Sequence, residues 1–182
     1  MATVTYYMNA YSLATSWTNP ANIVDNDDTT YGSFITPVAP VPSDTTGYVY
    51  TSQNNCSGVY LGVITKVEYR VKYYAGIGAS GQAAVYSQPE FGGSSLGTKT
   101  TILGVTGGPI AVGPLYTAYI DITNDTNHPT WGTDWDNIKN IDINLDGRVV
   151  KLGAVAGVQS EVRFYYVEIR VTYIPFLPSQ VL

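Results

Sequence analysis

The sequence predicts an all-β fold, an antiparallel β-sandwich of jelly-roll type. Three observations carry that expectation. Two long segments alternate strictly between apolar and polar residues. Between them, short runs of Thr, Val, Tyr and Ile are broken by Gly, Pro and Asn. No segment keeps helical spacing of its apolar residues beyond about two turns. A closed barrel is the alternative arrangement for the same strands.

Taken along the chain, residues 64–74 give the clearest strand. Val67, Tyr69, Val71 and Tyr73 fall on one face, and Lys66, Glu68, Arg70 and Lys72 on the other. Residues 165–173 repeat the pattern, with Tyr165, Val167, Ile169, Val171 and Tyr173 alternating with Tyr166, Glu168, Arg170 and Thr172. Each pair of adjacent tyrosines, Tyr73/Tyr74 and Tyr165/Tyr166, then places one ring inside and one outside. Shorter strands are expected at 82–87, 99–105 and 116–123. In residues 140–145, Ile141, Ile143 and Leu145 oppose Asp142 and Asn144. Asp146-Gly147 follows and predicts a hairpin back into 148–152. Residues 130–138 suit one helical turn. Residues 36–57, with Pro37, Pro40 and Pro42, read as a long loop holding one short strand at 48–51.

The 182 residues suit a single domain, with a C-terminal tail from 175. With 45% hydrophobic and 13% charged residues, the chain has enough apolar material to exclude a charged disordered tail. A net charge of −5 offers no basic patch, so nucleic acid is excluded as a partner. No apolar stretch is long enough to span a membrane. The first eleven residues lack a basic segment followed by an apolar run, so no export signal is expected there. The single Cys56 excludes an internal disulfide and a cysteine zinc cage, and reads as a small buried or loop thiol. The lone His128 precedes Pro129, which leaves no Ser-His-Asp arrangement.

The most specific motif spans residues 17–31, "WTNPANIVDNDDTTY". Asn19-Pro20 initiates a turn. Asp25, Asp27 and Thr30 offer closely spaced oxygen ligands that suit a structural Ca²⁺, or they cap a metal-free Asx-type turn. The spacing is not that of an EF-hand loop. No other cofactor is expected.

This motif, with "ITKVEYRVKYYA", "TWGTDWDNI" and "YYVEIRVTYIP" following in that order, resembles a jelly-roll type seen in discoidin-like and carbohydrate-binding domains and in tailed-phage virion proteins. The resemblance spans most of the chain and implies a sandwich with a virion role. The sequence departs from the pattern at Asn26, where Gly is common, and at Gly32, where Trp or Ala is common.

The aromatic residues admit two readings. Trp131 and Trp135, with Asp134 nearby, could form a sugar-stacking platform, or the indoles fill the sandwich. The carboxylates Asp121, Asp134, Asp136, Asp142 and Asp146 read as solvated turn groups rather than a glycosidase pair, so no enzymatic activity is expected. The uncharged end, with Phe176, Leu177, Val181 and Leu182, wants a partner groove on its own domain or on a neighbour. The expected function is a non-enzymatic virion protein, such as a phage capsid decoration or minor head protein, assembled in the host cytoplasm and docked on capsid or tail proteins. A homo-oligomer fits that role. The alternative is a carbohydrate-binding module that takes a host glycan.

Overall fold

The structure is a computed structural model, and it describes residues 1–36, 43–152 and 159–176. Eight strands build it: β1 (Ala2–Thr15), β3 (Ser43–Asn54), β4 (Gly62–Ile77), β5 (Gly81–Phe91), β7 (Thr100–Gly107), β8 (Ile110–Tyr116), β10 (Ile141–Lys151) and β11 (Glu161–Pro175). Three short strands, β2 (Gly32–Ile35), β6 (Ser95–Leu96) and β9 (Ile120–Asp121), pair at the margins. Among the described residues helix is confined to a 3₁₀ turn, Pro20–Ile23, and to α1 (Asp136–Lys139).

One sheet runs β1–β11–β4–β8 and the other β3–β10–β5–β7, with every pairing antiparallel. Counted in chain order, the eight longer strands take the orders 1-8-3-6 and 2-7-4-5. Those are the two nested Greek keys of a jelly roll. β1 belongs to both sheets: Ala2–Tyr7 pairs with β11, and Met8–Thr15 pairs with β3 across three register shifts. Among the described residues β7 and β8 do not pair with each other, so the sheets stack as a sandwich instead of closing into a barrel.

The core lies between the two layers. Val67, Tyr69, Val71 and Ile169 descend from one sheet and Val49, Val85, Ile143 and Leu145 from the other. The alternation of β4 therefore holds as expected, and β4 pairs directly with β11. On β11 a bulge between Phe164 and Tyr166 changes the phase. Val162, Phe164 and Val167 point inward, while the rings of both Tyr165 and Tyr166 lie with the outer-face groups Lys72, Tyr31 and Tyr116. The expected split of that tyrosine pair is corrected accordingly.

Three other expectations change. Residues 36–57 hold the twelve-residue strand β3, not a loop with one short strand. Its buried positions are Gly47, Val49, Thr51 and Asn54, and they hide the alternation because only Val49 carries an apolar side chain. Asp146-Gly147 makes no hairpin: β10 runs through it, paired on both sides with β3 and β5. The expected strand at 116–123 is reduced to the two-residue β9, and the rest of the segment is a strap along β4. There the backbone N–H groups of Val71 and Val67 donate to the hydroxyls of Thr117 (3.1 Å) and Thr123 (3.0 Å) in place of strand partners. The apolar N-terminal segment finds its partners within the same domain, with Met8 fully buried.

Candidate ligand-binding face

The two outer faces of the sandwich differ in chemistry. On the first sheet the charges satisfy one another. Glu68 pairs with Lys66 (2.7 Å) and Arg170 (2.8 Å), and Glu168 with Arg70 (2.6 Å). The Tyr119 hydroxyl donates to Glu168, and its ring lies 3.4 Å from the Arg170 guanidinium and 4.7 Å from that of Arg70. Burial and this bond push the Tyr119 phenol up to about 12. These groups fasten the 116–121 strap over β4 and β11, and a cavity of about 300 Å³ lies between the strap and β7, lined by Tyr73, Ile102, Leu115, Thr117 and Ile120.

The second sheet presents a cleft. Antiparallel register sets its outward side chains in rows of three across β3, β10 and β5. Tyr50, Asn144 and Gln88 form one row, and Tyr48, Asp146 and Tyr86 the next. Asp142 stands opposite Glu90 one row further on. The Tyr48 and Tyr50 rings stack at 4.9 Å, and Tyr50 keeps 37% of its surface exposed. Lys99 bonds Asp146 at 2.6 Å and lies 4.6 Å from the centre of the Tyr86 ring. Arg148 holds Asp44 through two hydrogen bonds, at 3.0 and 2.6 Å. A cavity of about 300 Å³ lies over Tyr48, Tyr50, Gln88, Asn144 and Asp146. A second, of about 600 Å³, is lined by Ser52, Asn54, Gly92, Lys139, Asn140 and Asp142.

The acidic end of this face is tense. Asn144 donates through Nδ2 to Glu90 at 2.8 Å, yet its buried Oδ1 has no hydrogen-bond partner among the described residues. Half-burial and the Glu90 charge push Asp142 up to about 7. An aromatic wall with amides, carboxylates and an unused acceptor on the floor can hold a polyhydroxylated ligand by stacking and hydrogen bonds.

The residues expected to bind from sequence fall elsewhere. Trp131 and Trp135 are 6% and 1% exposed, with their indole N–H groups donating to Thr123 O and Gly62 O, both at 2.8 Å. Neither presents a ring face to solvent, so the expected stacking platform is not built by them. Asp134 accepts from the Asp136 N–H at the entry to α1. Asp25 accepts from the Asp27 N–H (2.9 Å) and from the Thr30 hydroxyl (2.7 Å), and Asp27 from the Thr29 N–H (2.8 Å). That geometry is an Asx-type turn. Among the described residues no three Asp, Glu, His or Cys side chains gather as a metal cage. Asn26 adopts φ 60, the left-handed region that Gly or Asn tolerates. A Cβ on Gly32 would stand 2.8 Å from Ile23 Cδ1 and 3.2 Å from the Asn19 carbonyl oxygen.

Cys56 is free and buried beside Trp135 O. Phe176 stacks on Tyr60 at 4.4 Å; Leu177, Val181 and Leu182 lie outside the described residues. The tyrosines of the cleft were not singled out from sequence. Their signal was the shared phase of Tyr48 and Tyr50 in the short strand expected at 48–51, inside a segment otherwise read as loop.

No protein-family model matches the chain, and no curated protein matches it significantly. Among solved structures it is similar to the carbohydrate-binding module TmCBM61, solved in complex with β-1,4-galactotriose. The identity is 11% and the TM-score 0.34, over 92% of this chain and 86% of that one. It is also similar to a chain of infectious bursal disease virus, Gx strain, at 10% identity and TM-score 0.30, over 82% of this chain and 32% of that one. Both likenesses are remote. No helix among the described residues is long and apolar enough to cross a membrane.

Proposed function

We propose that this protein is a non-catalytic binding domain that takes an oligosaccharide along the outer face of its second sheet. The observation that carries this reading is the row geometry there. Stacked Tyr48 and Tyr50 rings border a floor of Gln88, Asn144 and Asp146. A sugar ring offers an apolar face to the tyrosines and hydroxyls to the floor, which is the pairing that amphipathic aromatics favour. At about 3.3 Å per residue the run from Asp142 to Asp146 spans about 13 Å, so the face suits several linked sugar units. The test is calorimetric titration of glycan candidates found by array screening. Tyr50→Ala should weaken binding at least tenfold with an unchanged melting temperature. Retained affinity in that variant, or hydrolysis of the bound glycan, would overturn the reading.

A second reading, attachment to a capsid or tail as part of a virion, is favoured by a different surface. Tyr60 stacks on Phe176, and Val59 and Ile174 beside them in sequence are 60% and 51% exposed. Exposed apolar groups of this kind mark protein contacts. Co-sedimentation with particles, lost in a Tyr60→Ser/Phe176→Ser variant, would support it. The two readings are compatible, because the surfaces are made of different residues.

A further inference from the structure

The cations on the binding face are already committed, Lys99 to Asp146 and Arg148 to Asp44. Glu90 and Asp142 oppose each other across β5 and β10 with no cation paired to either among the described residues. The Asp142 carboxylate makes no hydrogen bond to a described residue. Lys139 lines the same cavity but forms no ion pair with it among the described residues. Beside this pair, Asn144 is 8% exposed and its Oδ1 is an unused acceptor. What the cavity offers a ligand is therefore the acceptor capacity of Asp142 next to the charge of Glu90, with the buried Asn144 Oδ1 beneath. A sugar hydroxyl can donate to it. A ligand carboxylate or sulfate would add a third like charge in a partly desolvated site, where like-charge juxtaposition is costly.

We propose that Glu90, Asp142 and Asn144 are specificity-determining residues that select neutral, hydroxyl-donating sugar units and reject carboxylated or sulfated ones. This rests on the glycan-binding reading above and adds the charge class of its ligand. Asn144 holds this arrangement from below: its Nδ2 donates to Glu90, and its buried Oδ1 accepts from no described residue. Lys139, at the end of α1, lines the cavity that Asp142 lines, while Lys99 and Asp146 line the neighbouring one, with Asp146 two rows further along β10.

The experiment compares a neutral hexose oligosaccharide with an oligouronate of equal length, titrated at pH 8, above the Asp142 value of about 7. The parent should bind the neutral sugar about tenfold or more tightly than the uronate, a difference of about 1.4 kcal/mol. Glu90→Gln/Asp142→Asn, near-isosteric changes, should raise uronate affinity and narrow that gap. High salt should likewise raise uronate affinity in the unaltered parent by screening, a measurement that needs no variant. Equal binding of both sugars, or a gap untouched by the substitutions and by salt, would overturn this inference while leaving the glycan reading intact. Binding of neither sugar class would overturn both.

Discussion

Gly47 and Gly147 face each other directly across β3 and β10, and both lie against the rings of Trp17 and Phe34. Their missing side chains make room for the aromatic cluster that closes this end of the core. The Trp17 ring stacks in turn on Phe164 at 5.1 Å.

The two glycines differ in how much room they leave. A Cβ on Gly47 would stand 2.9 Å from the Thr15 carbonyl oxygen and 3.1 Å from Phe34. One on Gly147 would meet nothing closer than 3.6 Å. Gly47→Ala should therefore cost about 1–3 kcal/mol as overpacking. Gly147→Ala should be neutral or slightly stabilising, since glycine weakens a strand interior. Urea denaturation of the two variants measures the contrast, and equal losses would contradict it.

Asp142 makes stability fall as pH rises. Its ordinary value is 3.8 and its folded value about 7. Above pH 4 the unfolded chain releases a proton that the folded chain keeps until about pH 7, so stability declines across that window. Asp142→Asn should flatten the slope and stabilise the protein at pH 8 by about 1 kcal/mol, once screening by cleft water is counted. Chemical denaturation at pH 5 and pH 8 reads this out.

Glu168 is nearly buried, while Arg70 keeps 29% of its side chain exposed. Glu168→Gln should cost about 2–3 kcal/mol, below the range for fully buried pairs because Arg70 retains some water. The strap should loosen with it, seen as faster amide exchange at Thr117 and Ile122, whose N–H groups donate to Val71 O and Val67 O. The Tyr119 phenol adds an alkaline limit. Its folded value near 12 lies above the ordinary 10, so its contribution is lost as pH climbs through that interval.

At the Asp25–Thr30 turn the carboxylates already accept hydrogen bonds from their own segment. Asp25→Ala should lower the melting temperature, and chelator should leave the parent unchanged. A fall in the parent's melting temperature with chelator would instead assign Ca²⁺ to this loop.

Residues whose burial follows their own spacing were legible in the sequence. β4 is the clear case, since Val67, Tyr69, Val71 and Tyr73 all enter the core as their alternation implies. Features decided by a partner strand were not. The β11 bulge depends on register with β4, and it reverses Tyr165. Gly147 has the sequence of a turn, but its neighbours on β3 and β5 hold it extended. The binding face suffered the same way. Tyr48 and Tyr50 gain meaning only when β10 brings Asn144 and Asp146 beside them, whereas tryptophans draw notice alone and here serve the interior.

β1 is a strand that both layers share, zipped to β11 over its first half and to β3 over its second. Peeling it away would strip an edge from each layer at once. The protein should therefore lack a half-melted form in which one layer survives the other, and amide protection in β10 and β11 should vanish in a single event under rising denaturant.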